Sequence, residues 1–263
     1  RLPSRGGPFP TQSRHRSVRK NQVCSASVPS LKHSPQSGSM DIWPAIRLSL
    51  WVSVLAVAIA LGPAIAVGYI LARKRFPGRT LVELLVHLPL VLPPVVLGYL
   101  LLIVLGRNGV IGRWLELVGI RVVFTWVGAV LAAAVVGFPL MARSCRIAFA
   151  AVDPRLAMAA RTLGASRWRA FLTVSLPLAA RGILAGTVLG YARALSEFGA
   201  TIMLAGNIPG QTQTIPLAIY AATHRVDGDA IALRLVVVSI ALAAVALLIS
   251  EWLDRRQDHH AAV

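Results

Sequence analysis

Arg193 and Glu197 are the two ionisable side chains in a stretch, 182–206, that is otherwise free of charge. Four residues apart, they share one face of a helix. In a hydrocarbon setting, two chemistries are open to them: mutual neutralisation as an ion pair, or direct contact with a charged cargo. Either use requires that face to point into protein rather than lipid. His87 lies beside Pro89, Pro93 and Pro94 and reads as a satisfied polar group before a ligand. A phosphate-binding Gly-x-x-x-x-Gly-Lys-Ser/Thr loop, a His-Glu-x-x-His zinc pair, a Cys-x-x-Cys pair and a Gly-x-Ser-x-Gly elbow are all absent from the sequence. Lys74 is the only lysine after residue 39, and Cys24 and Cys145 are too far apart to suggest a metal or disulfide framework. No catalytic group is visible, so a chain that moves a cargo would draw its energy from elsewhere.

The other chemistry-bearing segment is 143–181, which is too polar to cross a membrane and too apolar to be disordered. Asp153 followed by Pro154 is a helix start: the carboxylate accepts orphan amide hydrogens, and proline at the first helical position loses no intrahelical bond. Leu156, Ala159, Ala160 and Leu163 then recur at i, i+3, i+4 and i+7 as one apolar stripe. Gly164 sits where a left-handed C-terminal cap is wanted, and Ser166 can cap a second short helix ending near Pro177. The two central alanines let a backbone approach closely. That suits a groove on another protein, and equally the lipid headgroups or the chain's own bundle.

These segments must be held by membrane spans. Of 263 residues, 56% are hydrophobic and only 14% charged, where a soluble domain has nearer 25% charged. The net charge of +17 does not indicate nucleic acid, because the basic residues sit in an N-terminal tail and between long apolar runs. The run 48–72 has 25 residues without a charge, roughly 37 Å as a helix, enough to cross the hydrocarbon. A second run, 84–106, contains Pro89, Pro93 and Pro94 and is expected to be kinked or broken. Further runs at 122–142, 182–206 and 235–250 make an all-α polytopic bundle of five spans, or six if another lies where the apolar segments break. Residues 1–39, rich in Arg, Ser, Pro and Gly, read as a disordered basic tail, with Met40 as the expected start of translation. Residues 40–254 form the membrane domain and 255–263 a cytoplasmic C-terminal tail.

Placing 73–83, 143–181 and the C-terminus inside gives 13 Lys and Arg there, against four in the outer loops 107–121 and 205–230. The positive-inside rule therefore puts the N-terminal end of the first span outside and the capped helices on the cytoplasmic face.

Ala159, Ala160 and Gly164, followed by Val174, Ser175, Leu176 and Pro177, resemble the EAA loop of ATP-binding-cassette import permeases, with Met158 where that family has glutamate. The stretch His87-Leu88-Pro89-Leu90-Val91-Leu92-Pro93-Pro94, and the stretch from Ser196-Glu197-Phe198-Gly199 to Thr214-Ile215-Pro216, are similar to molybdate permeases of that family. Sulfate and thiosulfate permeases share much of the second stretch. The resemblance implies docking of Leu156, Met158, Ala159, Ala160, Leu163, Gly164, Leu176 and Pro177 on a separate ATPase. It implies a pathway framed by Pro89, Pro93, Pro94, Arg193 and Glu197, and a location in the bacterial inner membrane. The implied partners are a second copy of the chain, two ATPase subunits that use ATP and magnesium, and a periplasmic or lipid-anchored oxyanion-binding protein; this chain would bind no cofactor itself and no nucleic acid. Tungstate remains an alternative cargo, and an ion-gradient-driven secondary transporter is the rival of another class.

Overall fold

The uncharged run at 48–72 lies inside one helix, α1 (Trp43–Arg73), which has Pro44 in its first turn and ends where Lys74 turns extended. The computed structural model describes residues 41–259, with side chains described to 248. The expected basic tail and the start at Met40 lie outside the described residues. After α1 come α2 (Arg79–Val91), α3 (Pro94–Leu105), α4 (Val110–Leu117), α5 (Trp126–Ala151), α6 (Pro154–Thr162) and α7 (Arg167–Ala170). A π turn (Phe171–Ser175) leads into α8 (Leu176–Leu195), followed by α9 (Gly199–Ala205), α10 (Ile215–Thr223) and α11 (Asp229–His259).

Four helical stretches among the described residues are long and apolar enough to cross a membrane: α1, α5, α7 through α8, and α11. The pair α2–α3, bent by 114° at its break, is long and apolar enough to count as the fifth of the five expected spans if it crosses as one broken span. Among the described residues there is no candidate for a sixth. Helix α11 continues past position 254, so the expected tail begins as helix.

Small residues bring the central helices together. On α1, Ala56, Ala60, Ala64 and Gly68 are buried at intervals of four, the spacing that lets backbones approach where lipid offers no hydrophobic drive. On α8, Gly182 and Gly186 do the same: a Cβ there would fall 2.5 Å from the Ala148 Cβ and 2.6 Å from the Ser144 Cβ of α5. Nearer the other end, Ser49 of α1 accepts the Ile215 amide hydrogen at 2.7 Å, which ties α10 to the bundle.

Three expectations about helix ends are corrected. Helix α5 runs to Ala151, not 142, because Arg143 and Arg146 sit comfortably in a helix that leaves the lipid. The loop between spans three and four is therefore much shorter than 143–181. The helix capped by Ser166 does not stop near Pro177: the Leu176 amide bonds back to the Phe171 carbonyl, and this wider turn lets the chain run on into α8. The run 182–206 is divided, since α8 ends at Leu195 and a bend at 196–198 precedes α9.

Candidate functional site

At the end that the charge distribution places in the cytoplasm, Asp153 Oδ1 accepts the Arg155 amide hydrogen at 2.8 Å, and Pro154 opens α6. At the other end of α6, Gly164 has φ +91°. Its amide donates to the Arg161 carbonyl at 3.0 Å, and the Ala165 amide to the Ala160 carbonyl at 3.1 Å. This paired 5→2 and 6→1 closure is the Schellman cap, and only glycine enters its left-handed position without strain. Ser166 Oγ then accepts the Arg169 amide hydrogen at 3.2 Å and starts α7. Both caps and the sharp turn are as expected from the sequence.

No residue of α6 is buried. Leu156 and Ala159 are exposed, Ala160 is half-buried, and Leu163, just past the helix, is 89% exposed. The stripe therefore does not lie against the chain's own core. Met158 projects from the opposite face of α6 by its position in the helical turn. Leu176 points elsewhere again: it packs beside Cys145, Phe149 and Ala179, while Pro177 is exposed at the start of α8. Of the eight residues read as docking positions, Leu176 is thus directed at the bundle.

Sequence reasoning missed what fastens this loop to the spans. The Trp168 ring stacks on Phe171 at 5.4 Å, Phe171 meets Tyr69 of α1 edge-on at 4.9 Å, and Tyr69 meets Phe149 of α5 at 5.2 Å. Nearby, Arg73 Nη2 donates to the Val152 carbonyl at 2.8 Å. Glu83 holds Arg79 at 3.0 Å and Arg146 at 3.1 Å, joining α2 to α5. The only local signal was the concentration of aromatic and basic residues at the ends of apolar runs.

Of the second group of expected residues, Pro94, Arg193 and Glu197 sit at two helix breaks, while Pro93 is exposed. Leu92, restricted by the proline that follows it, is extended at ψ 139°, and Pro94 opens α3. Pro89 lies within α2 and does not interrupt it. Arg193 Nη1 lies 2.8 Å from Glu197 Oε2. That contact neutralises charge without the angle of a hydrogen bond, which leaves Oε2 formally without a hydrogen-bond donor. Glu197 Oε1 accepts the Ala200 amide hydrogen at 2.7 Å. The pair does not share a helix: Arg193 is in the last turn of α8, while Glu197 lies beyond its end, just before Phe198 at the N-cap of α9, and accepts from the first turn of α9. Each charge thereby faces the helix terminus of opposite partial charge. A Cβ on Gly199 would fall 2.9 Å from the Pro94 Cβ, and one on Gly98 would fall 2.7 Å from the Ala200 Cα. The break between α2 and α3 therefore rests directly on the break between α8 and α9.

His87 Nδ1 is 2.7 Å from the Glu83 carbonyl, a satisfied polar group as expected. The connection after α9 is ordered: the Ile208 carbonyl accepts the amides of Gln211, Thr212 and Gln213, and Gln213 Nε2 donates to Asn207 Oδ1 at 2.9 Å.

Spanning helices, two abutting breaks and a capped helix left exposed at one end describe a polytopic membrane protein, and the family match makes it a transport component. Residues 64–259 match the family described as binding-protein-dependent transport system inner membrane component, and the chain belongs to that family of the inner membrane. It is 55% identical over 214 residues to the molybdenum transport system permease protein ModB of Escherichia coli (strain K12), covering 81% of this chain and 93% of that one. Identity to ModB of Haemophilus influenzae is 51% over 215 residues, covering 81% and 94%. Identity to the sulfate transport system permease protein CysW of Synechocystis is 34% over 226 residues, covering 86% and 82%. In fold, the chain is similar to a bacterial alginate ABC transporter solved with a periplasmic protein bound to an alginate pentasaccharide. There the TM-score is 0.66 at 22% identity, covering 83% of this chain and 80% of that one.

Proposed function

We propose that this chain is the membrane-spanning subunit of an ATP-driven molybdate importer, and that α6 is its point of contact with a separate ATPase. The observation that carries the reading is the rigidly capped α6, with an apolar stripe that the chain itself leaves uncovered. Molybdate is favoured over sulfate by the higher identity to the molybdenum permeases than to the sulfate permease. Moving a dianion inward against 100 mV costs roughly 4.6 kcal/mol, twice the value for one elementary charge, before any concentration gradient is counted. An external energy source is therefore required.

In this reading two copies of the chain pair, each receiving one ATPase subunit, and ATP with magnesium is bound and hydrolysed there. Closure of the ATPases draws the two α6 helices together. The displacement passes along α7, the π turn and α8, and sideways through Trp168, Phe171, Tyr69 and Phe149. It reaches the contact between Pro94 and Gly199, where two discontinuous helices can change their angle at least cost in backbone bonds. The pathway then opens outward, receives the oxyanion from a binding protein, and returns inward after hydrolysis. Arg193 and Glu197 hold the joint between α8 and α9 and hide their charges from lipid. Cargo selectivity is assigned mainly to the binding protein, because few cations enter the spans.

Uptake of radiolabelled molybdate, in cells lacking this chain and in cells with it restored, tests the cargo. Restoration of molybdate uptake that survives excess sulfate is expected. Restoration that excess sulfate abolishes would move the assignment to sulfate.

A further inference from the structure

We infer that α4 is an interfacial helix of the outer membrane face, and that the arginines around it seat the phosphate of an anionic phospholipid. The inference depends on the membrane placement of the chain and not on its cargo. In the helical turn, Val110, Ile111, Trp114, Leu117 and Val118 share one face of α4, and all but Ile111 are at least 70% exposed. The opposite face is fixed to the bundle. Gly112 is buried so closely that a Cβ would collide with the Gly106 carbonyl. Four large apolar side chains on an eight-residue helix, and a fifth at its C-cap, are too much for a surface bathed in water.

Depth in the membrane follows from two other observations. Helix α4 begins directly after α3, the apolar half of a span, and precedes α5, so it lies at the outer ends of both. Trp43, Trp51 and Trp126, at the outer ends of α1 and α5, are exposed as Trp114 is. Indole rings gather in such a belt at headgroup level, where an apolar body and a polar N–H are both accommodated.

Charge complementarity names the occupant. A cavity of about 740 Å³ lies between α4, the end of α3 and the connection 120–124 that leads to α5, with Arg107, Asn108, Glu116 and Arg121 on its polar side and Leu102 and Phe124 among its apolar walls. A neighbouring cavity adds Arg113 and again includes Glu116 and Arg121. Glu116 is already held by Arg107 at 2.6 Å. Arg113 and Arg121 have no ion pair among the described residues, so the patch retains positive charge next to an apolar slot. A phosphodiester with acyl chains matches both halves. A delivering binding protein matches less well, since it would leave the apolar face in water after each cycle.

The test uses Leu117→Cys in a Cys24→Ser background, because Cys145 is fully buried and will not label. The full chain, labelled with a fluorophore, is reconstituted in vesicles of phosphatidylcholine and phosphatidylglycerol in equal parts; Val118→Cys serves as a second site. Loss of most of the emission to a nitroxide on phospholipid acyl chains, with little loss to a water-soluble quencher, is expected at both positions. The preference of the purified chain for phosphatidylglycerol over phosphatidylcholine should fall about five-fold for each of Arg113→Gln and Arg121→Gln. Quenching from the aqueous side, shielding from both quenchers by a second copy of the chain or by added binding protein, or an unchanged lipid preference in both variants would overturn the inference.

Discussion

Arg193→Gln removes the only countercharge that Glu197 Oε2 has among the described residues, on a carboxylate side chain that is 1% exposed. Taking away one partner of a buried ion pair costs about 3–5 kcal/mol, because the remaining charge is left without compensation. Arg193 is itself partly open, with 27% of its side chain exposed, so the lower end of that range applies. Glu197→Gln is gentler. Its amide oxygen can still accept the Ala200 amide hydrogen, and the partly open guanidinium can find water, so a loss of about 1–2 kcal/mol is expected. The double variant buries no charge and should lose about 2 kcal/mol, well short of the summed single losses, giving a coupling of about 2–3 kcal/mol. The assay is reversible unfolding of the purified chain in mixed micelles, for the parent, both singles and the double. Additive losses, with a coupling below about 0.5 kcal/mol, would refute the view that Glu197 depends on Arg193 for its charge.

Other consequences are open to simple tests. Gly98→Ala places a methyl 2.7 Å from the Ala200 backbone and should destabilise by about 1–3 kcal/mol. Gly62→Ala, with nothing within 4 Å, should be neutral or slightly stabilising in the same unfolding assay. Asp153→Ala removes the α6 cap, a loss of about 0.5–2 kcal/mol that should appear as faster amide exchange confined to 155–162. Tyr69→Leu deletes two ring contacts worth about 0.5–1.5 kcal/mol each. It should lower uptake while leaving the ATPase bound, and unchanged uptake would exclude Tyr69 from the coupling route.

Local chemistry was the most legible. Asp153-Pro154, Gly164 and Ser166 announce their caps because capping depends on a few neighbouring residues, and the structure has each bond expected of them. The spans were visible because uncharged runs such as 48–72 are rare outside membranes. Their ends were not. An arginine marks where lipid stops, while a helix such as α5 stops only where its hydrogen bonding does, at Ala151. Pro177 looked like a terminator, yet one widened turn absorbs its missing amide hydrogen and the helix continues. Contacts between distant positions leave no periodic trace: Glu83 with Arg146, Tyr69 with Phe171 and Pro94 against Gly199 all had to be seen in three dimensions. The grouping of Pro94 with Arg193 and Glu197 came from resemblance, and the abutting helix breaks supply its geometry.

The proposed transfer of work through α6 is tested most directly by Ala159→Glu, since Ala159 is exposed and the exchange costs the helix only about half a kcal/mol. The variant should unfold at the same midpoint as the parent, yet lose both co-purification with the ATPase and ATP-driven molybdate accumulation in reconstituted vesicles. A variant that still holds the ATPase and transports like the parent would contradict the account, as would a parent chain that accumulates molybdate from an ion gradient with no ATPase present.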